Sequence, residues 1–347
     1  MLTARTETIL KSIVGQYIDK AMPVPSQAVC KDCGLGACPA TVRHEMARLE
    51  EQGYITRSHP SAGSIPSDKG YRYYVESLTK FSLPLDEQRL ISHLFHQVER
   101  EQEGWARLAA TVMAQLTQNV ALVTGPKPVD CRFKHLELIT LQDSLILVVL
   151  ILNGARVRQQ ILSLESATSQ AELTVIANRL NGVYSNLTSS QILDKYVELS
   201  SVEQQVIDYV AKIMQAEDAE HEEPYLEGWH FILNQPEFRR TNQLLDLMEL
   251  VERRNLLRAI FPQGLGICEI RVVIGRENST EAIHNCSVVI SRYGLPGEAA
   301  GTIGVVGPTR MPYGRTMSTV SYLSVVLSRL VAELYGRETP NDIADAN

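Results

Sequence analysis

The chain has 347 residues, 44% hydrophobic and 21% charged; it is too long for one ordinary core, so two or three soluble domains are expected. Its net charge of −7 argues against a body devoted to nucleic acid, but residues 1–80 carry ten Lys/Arg against eight Asp/Glu (+2) and the rest 23 against 32 (−9), so a mildly basic head sits on an acidic body. The N-terminus is amphipathic and broken by charge, and the longest apolar run, Leu145–Leu152, is far below the ~20 residues of a bilayer span, so a cytoplasmic protein without a membrane is expected.

In chain order, Thr3–Lys20 carries Ile9, Leu10, Ile13, Val14, Tyr17 and Ile18 at helical spacing, and Ala21-Met22-Pro23 ends it. A short helix opens at Pro25-Ser26 and closes at Gly34 and Gly36. Pro39 suits the first turn of a third helix running to about Gln52, with Gly53 just past its end. On that helix Val42, Met46 and Leu49 point inward, while Ala40, Thr41, His44, Ala47 and Arg48 take the opposite face and Arg43 its flank. Tyr54–Arg57 reads as a strand, Ser58–Asp68 as a Gly/Pro/Ser loop, and Lys69–Leu78 as a helix packed through Tyr71, Tyr74, Val75 and Leu78. Three helices, a strand and a small-residue loop follow the order of a winged helix-turn-helix.

A Pro joint at Leu83-Pro84-Leu85 leads into one long helical region, Asp86–Asn119, read as a connector or dimer contact. The period then turns strand-like at Phe133–Leu141, Leu145–Leu152 (expected buried) and Arg156–Leu164. Helical patterns return at Ala167–Tyr184, Val202–Ala216 and Thr241–Ala259, with the acidic stretch Glu217–Glu223 expected as a solvated loop. Strands resume at Cys268–Gly275, Cys286–Tyr293 and Gly301–Gly307, before a last helix, Tyr313–Tyr335. A single mixed sheet interrupted by an inserted helical subdomain accounts for strands in two groups.

A helix fits the major groove and its outward side chains reach base edges. Thr41, His44 and Arg48 are placed for that, and Arg43 for a base or a phosphate. In the loop, Arg57, His59, Ser61, Ser64 and Lys69 offer charge or hydroxyl donors to the backbone, with Arg72 one turn into the next helix and Ser26 at the start of the second. Against this stands the plain alternative of ordinary exposed polar residues on a small helical domain. Cys30, Cys33 and Cys38 have partial zinc-site spacing, with His44 or His59 as a fourth ligand; small half-buried side chains are the favoured reading, and no cofactor is expected. Gly301-x-x-Gly304-x-x-Gly307 marks tight packing ahead of phosphate binding, and Gly307-Pro308-Thr309-Arg310 a capping turn with Arg310 in a salt bridge. No HExxH, P-loop or GxSxG occurs, and the eight histidines are scattered without a paired carboxylate, which leaves an enzyme reading little support.

These residues resemble the heat-inducible transcription repressor HrcA family. The resemblance runs through Tyr17-Ile18, Pro23-Val24, Ala40-Thr41-Val42-Arg43, Met46-Ala47, Leu49-Glu50-Glu51, Gly53-Tyr54, His59, Ser61-Ala62-Gly63, Ile65-Pro66 and Asp68–Val75. A second block holds Ile274-Gly275, Glu277-Asn278, Cys286-Ser287, Gly304–Met311 and Tyr313. The resemblance implies an α+β multidomain chain: a winged helix-turn-helix DNA-binding domain at 1–80, connector or dimer helices at 81–120, a GAF-like α/β domain at 121–165 and 260–340, and an inserted dimerisation subdomain at 166–259. It implies a homodimer that binds the inverted repeat called CIRCE, on double-stranded DNA, and represses heat-shock chaperone operons (groE/dnaK type). It implies that the chaperonin GroEL supports the repressor until unfolded proteins titrate it. Where the family usually has Asn and Arg, this chain has His44 and Ser64, which puts operator preference and the pH dependence of binding in question. The alternative is a regulator with the same head that senses a small molecule in its GAF-like domain.

Overall fold

The computed structural model describes residues 2–32, 39–57, 59, 62–79, 81–98, 102–128, 131–142, 144–153, 156–219, 224–239 and 264–337. The chain divides into two compact units, the first of Met1–Pro126, Glu223–Leu295 and Gly301–Asn347, the second of Lys127–Glu222 and Pro296–Ala300.

In the first unit, α1 (Ala4–Lys20) begins at Thr3, whose side chain accepts from the Thr6 amide, and ends at Ala21 in a left-handed conformation. It is followed by α2 (Ser26–Asp32) and α3 (Pro39–Glu51). Gly53, at φ +75°, turns the chain into β1 (Ile55–Thr56), which pairs antiparallel with β2 (Ile65–Pro66). Ser67 then caps α4 (Asp68–Glu76) by accepting from the Gly70 amide. Ile9, Leu10, Ile13, Val14, Val29, Val42, Met46, Leu49 and Ile55 are buried, so the inward stripes expected from helical spacing make one small core. The long helix expected over Asp86–Asn119 is two, α5 (Leu85–Gln97) and α6 (Gln102–Thr117), because the backbone turns extended at Val98. β3 (Val120–Val123), fully buried, was missed in the sequence; four apolar residues without alternation carry no strand period.

The second unit opens with β4 (Lys127–Pro128), which pairs with Ala299–Ala300. Next come β5 (Phe133–Gln142), β6 (Leu145–Leu152) and β7 (Val157–Ser163), an antiparallel meander with β6 in the middle, and then α7 (Gln170–Tyr184), α8 (Ser189–Asp194) and α9 (Ser201–Ala219). One sheet face, with Phe133, Leu136, Leu138, Ile146, Val148, Leu150 and Leu152, packs with Leu173, Leu180, Val206, Val210 and Met214 of the helices. β6, expected as a buried strand, buries Ile146, Val148, Leu150 and Leu152 on this face and leaves the alternate residues half-buried on the other. Capping boxes at Ser169/Glu172 and Thr188/Gln191 fix the starts of α7 and α8. Glu217 and Asp218 are not a solvated loop: they complete α9, and Glu217 is buried against Arg156 and Arg158. The two arginines offset a charge that sequence alone reads as solvent-seeking.

The chain returns to the first unit with β8 (Tyr225–Glu227), α10 (Trp229–Leu233), β9 (Ile270–Ile274), β10 (Cys286–Leu295), β11 (Ala299–Pro308, from Gly301 on) and α11 (Tyr313–Leu334). The sheet runs β8-β3-β11-β10-β9, and α11 packs on β10 and α6. The single mixed sheet expected for both strand groups is corrected: β5–β7 form a separate sheet in the other unit. The glycine series in β11 serves packing. A Cβ on Gly307 would collide with Asn119 Oδ1, and one on Gly301 would stand 2.5 Å from the Tyr293 ring. α11 is long and apolar enough to cross a membrane, but Tyr313, Met317, Val320, Leu323, Leu327 and Val331 are buried within the unit, as in a core helix. The helix expected at 241–259 lies outside the described residues.

Candidate nucleic-acid interface

α3 puts its apolar positions and its polar ones on opposite sides. Val42, Met46 and Leu49 are buried, while Arg43, His44 and Arg48 are exposed and Thr41 is half-buried. These four residues share the outer part of one helix, with only the small Ala40 and Ala47 beside them. Arg48 stays 46% exposed at its side chain, with Nη1 3.6 Å from Glu45 Oε2. Glu45, buried at 8% exposure, was not singled out in the sequence; an acid between Val42, Met46 and Leu49 interrupts a buried stripe, and that is the signal that marks it.

The loop residues divide. His59 is exposed, and its carbonyl accepts from the Ala62 amide at 2.9 Å. Lys69 is exposed; its Nζ donates to the Gln52 carbonyl at 2.8 Å and lies 4.4 Å from the centre of the Tyr54 ring. Both side chains can swing to a phosphate. Arg57 is committed elsewhere: its Nε donates to Glu50 Oε2 at 2.8 Å and its side chain is 17% exposed, so it ties the start of the loop to α3. Ser64 does not lie on the surface. It is fully buried, its backbone is paired both ways with Val24 at 2.9 Å, and its hydroxyl has no hydrogen-bond partner among the described residues. This corrects its expected role as a phosphate donor; the pairing with Val24 pulls the end of the loop inward. Ser26 is half-buried at the first residue of α2. Ser61, Cys33 and Cys38 lie outside the described residues, and of the cysteine cluster only Cys30, half-buried, is placed.

Arg72 is the second correction. Its Nε donates to Glu277 Oε1 at 2.8 Å, its Nη2 meets Glu277 Oε2, and Nη2 also reaches the Val272 carbonyl at 2.7 Å. The bond to Glu277 raises the guanidinium's pKa against the opposing effect of burial. One turn earlier, Asp68 Oδ2 accepts from the Arg276 amide at 3.0 Å. Gly275 there has φ +52°, and a Cβ would stand 2.5 Å from the Asp68 carboxylate. The Tyr71 and Tyr313 rings are 5.9 Å apart; burial pushes both phenols up. Arg310 is clamped by Glu237 and Gln235 and reaches the Ile18 carbonyl of α1 at 3.3 Å, which bears out its expected salt bridge; the expected capping role is not seen, since α11 starts after Pro312 without a side-chain cap. The two motif blocks thus meet, and the side chains of Asp68 and Arg72 hold the helical head to the sheet.

Residues 103–317 match the family described as HrcA protein C terminal domain. The chain is 51% identical over 338 residues to the heat-inducible transcription repressor HrcA of Dehalococcoides mccartyi, covering 97% of this chain and 98% of the relative. It is 40% identical to that of Herpetosiphon aurantiacus, covering 96% and 97%. A crystal structure of a hypothetical protein has a similar fold, with a TM-score of 0.62 and 22% identity over 96% of this chain and 99% of that one. With identity this high over nearly its whole length, the chain belongs to the heat-inducible transcription repressor HrcA family.

Proposed function

We propose that this protein is a homodimeric transcription repressor that binds an inverted repeat ahead of heat-shock chaperone genes. Residues 1–80 act as a winged helix-turn-helix, with α3 in the major groove and the β1–β2 loop as the wing. The observation that carries the reading is the clustering of Thr41, Arg43, His44 and Arg48 on the outer face of α3, backed by the buried Val42, Met46 and Leu49. His59 supplies a backbone contact from the wing and Lys69 another from the start of α4.

A two-fold operator calls for a two-fold protein. The outer face of the β5–β6–β7 sheet supports a dimer contact in the second unit. Leu147 stands opposite Ile139 on one side and Ile161 on the other. Ile139, Val157 and Ile161 are 44%, 49% and 56% exposed, an apolar surface of the kind that marks protein contacts. The GAF-like domain that the resemblance implies at 121–165 and 260–340 is assigned to the sheet of the first unit, residues 127–165 falling in the second; the protein works in the cytoplasm, and a GroEL-type chaperonin keeps it active, as the resemblance implies. Footprinting of an inverted-repeat promoter with the purified chain, with and without chaperonin, tests the reading. Protection of both half-sites that strengthens with chaperonin is the expected result.

A further inference from the structure

We infer that Glu45 is a positioning residue that aims Arg48 at DNA and so sets the discrimination between operator and unrelated sequence. The inference rests on α3 being the recognition helix. Glu45 Oε2 accepts from Thr6 Oγ1 at 2.8 Å inside the core, and the same oxygen lies 3.6 Å from Arg48 Nη1. Thr6 Oγ1 is 2.6 Å from Thr3 Oγ1, and that oxygen caps α1 by accepting from the Thr6 amide at 3.3 Å. A chain of polar contacts therefore runs from the cap of α1 through a buried carboxylate to a cation on the outer face of α3.

A carboxylate at this place is costly in two ways. Burial strips it of water, and its charge opposes phosphate. An apolar residue would extend the stripe of Val42, Met46 and Leu49 without either cost. What the carboxylate supplies is direction. Thr6, itself 3% exposed, fixes the oxygen, and a fixed anion one turn before Arg48 restricts a long side chain that otherwise samples many rotamers. Arg48 remains 46% exposed, so Glu45 directs the guanidinium without burying it. Base reading by arginine depends on the plane of its fork, whereas phosphate contact tolerates a mobile cation. Holding Arg48 therefore favours the operator, and the negative charge behind it disfavours other DNA.

The test uses the full chain and fluorescence anisotropy with two duplexes: one selected by the wild-type protein from a randomised pool, and a scrambled duplex of the same composition. Glu45→Gln keeps an acceptor for Thr6 and removes the charge. The ratio of affinities should fall about two- to fivefold, the order of one partly exposed ion pair, with the scrambled duplex bound at least as tightly as by wild type. In an Arg48→Ala background the same substitution should change the ratio no further. Thr6→Val, which releases the carboxylate from the α1 side, should lower the ratio in the same direction and serves if Glu45→Gln does not fold. An unchanged ratio in either variant overturns the proposal, as does an equal weakening on both duplexes, or the same loss with Arg48 absent. If Arg48→Ala alone leaves the ratio intact, Arg48 reads no base and this proposal fails, while the recognition-helix reading stands or falls with the combined Arg43→Ala, Arg48→Ala variant; if Arg48→Ala lowers the ratio and Glu45→Gln does not, only the role of Glu45 is lost.

Discussion

Arg72 and Glu277 stand 205 residues apart in the chain, yet the guanidinium of one lies against both carboxylate oxygens of the other, with Nε 2.8 Å from Oε1. The side chains are 29% and 38% exposed, so solvent screens the pair and it contributes no more than about 1 kcal/mol. Its larger effect is to occupy Arg72. Arg72→Ala is expected to leave the salt dependence of DNA binding unchanged while lowering stability by up to about 1 kcal/mol, roughly 2–4 °C in the thermal transition. Lys69→Ala, in contrast, should lower the slope of log K against log salt by about one. Titrations at two or more salt concentrations separate the cases.

Arg43 and Arg48 should behave as base or backbone readers on α3. Replacing either by Ala is expected to cost about 1–3 kcal/mol on the selected operator if the side chain meets a base. The loss on scrambled DNA should be smaller. Competition binding with both duplexes measures the difference.

How much of this surface was legible in the sequence depended on what each residue had to satisfy. The stripe Val42, Met46 and Leu49 and its polar opposite followed from helical period, and so did Gly53 as the residue past the helix. Arg72 and Ser64 did not, because their partners, Glu277 and Val24, come from pairings that no local pattern encodes. Glu217 failed for the same reason. Its acidic run reads as a loop until Arg156 and Arg158 are brought beside it by the β7 strand and its approach. The meander β5–β7 was visible from strand period, but its separation from the other sheet was not, since period says nothing about which strands pair.

Ser64 gives a sharp test of the burial argument. Its hydroxyl is buried without a hydrogen-bond partner among the described residues, a state that costs stability. Ser64→Ala should therefore be neutral or stabilise by up to about 1 kcal/mol, and DNA affinity should not change. Chemical denaturation and anisotropy report the two quantities.

Acid should weaken the second unit through Glu217. Burial raises this carboxyl, but hydrogen bonds and charge from Arg158 and Arg156 outweigh it and hold the group below its ordinary value of 4.5. The folded unit thus binds this proton less readily than the unfolded chain. The stabilisation is present above pH 4.5 and is lost as the pH falls below that through the folded value. Glu217→Gln is expected to cost about 1–3 kcal/mol near neutral pH, discounted because Arg158 is partly exposed, and to flatten the acid limb of stability. Circular dichroism against denaturant at pH 7 and pH 4 measures both effects.

The apolar sheet face predicts the assembly state. Ile161→Asp places a charge beside Leu147 in the proposed contact, and light scattering should show dimers replaced by monomers of unchanged secondary structure. DNA binding by that variant should weaken on an inverted repeat far more than on a single half-site.

The central claim is that α3 reads DNA, and footprinting on the selected inverted repeat tests it most directly. Wild-type protein should protect two half-sites whose centres lie one or more helical turns apart, at about 10–10.5 base pairs per turn, and the combined Arg43→Ala, Arg48→Ala variant should lose both. Protection that persists unchanged in that folded variant would contradict the account.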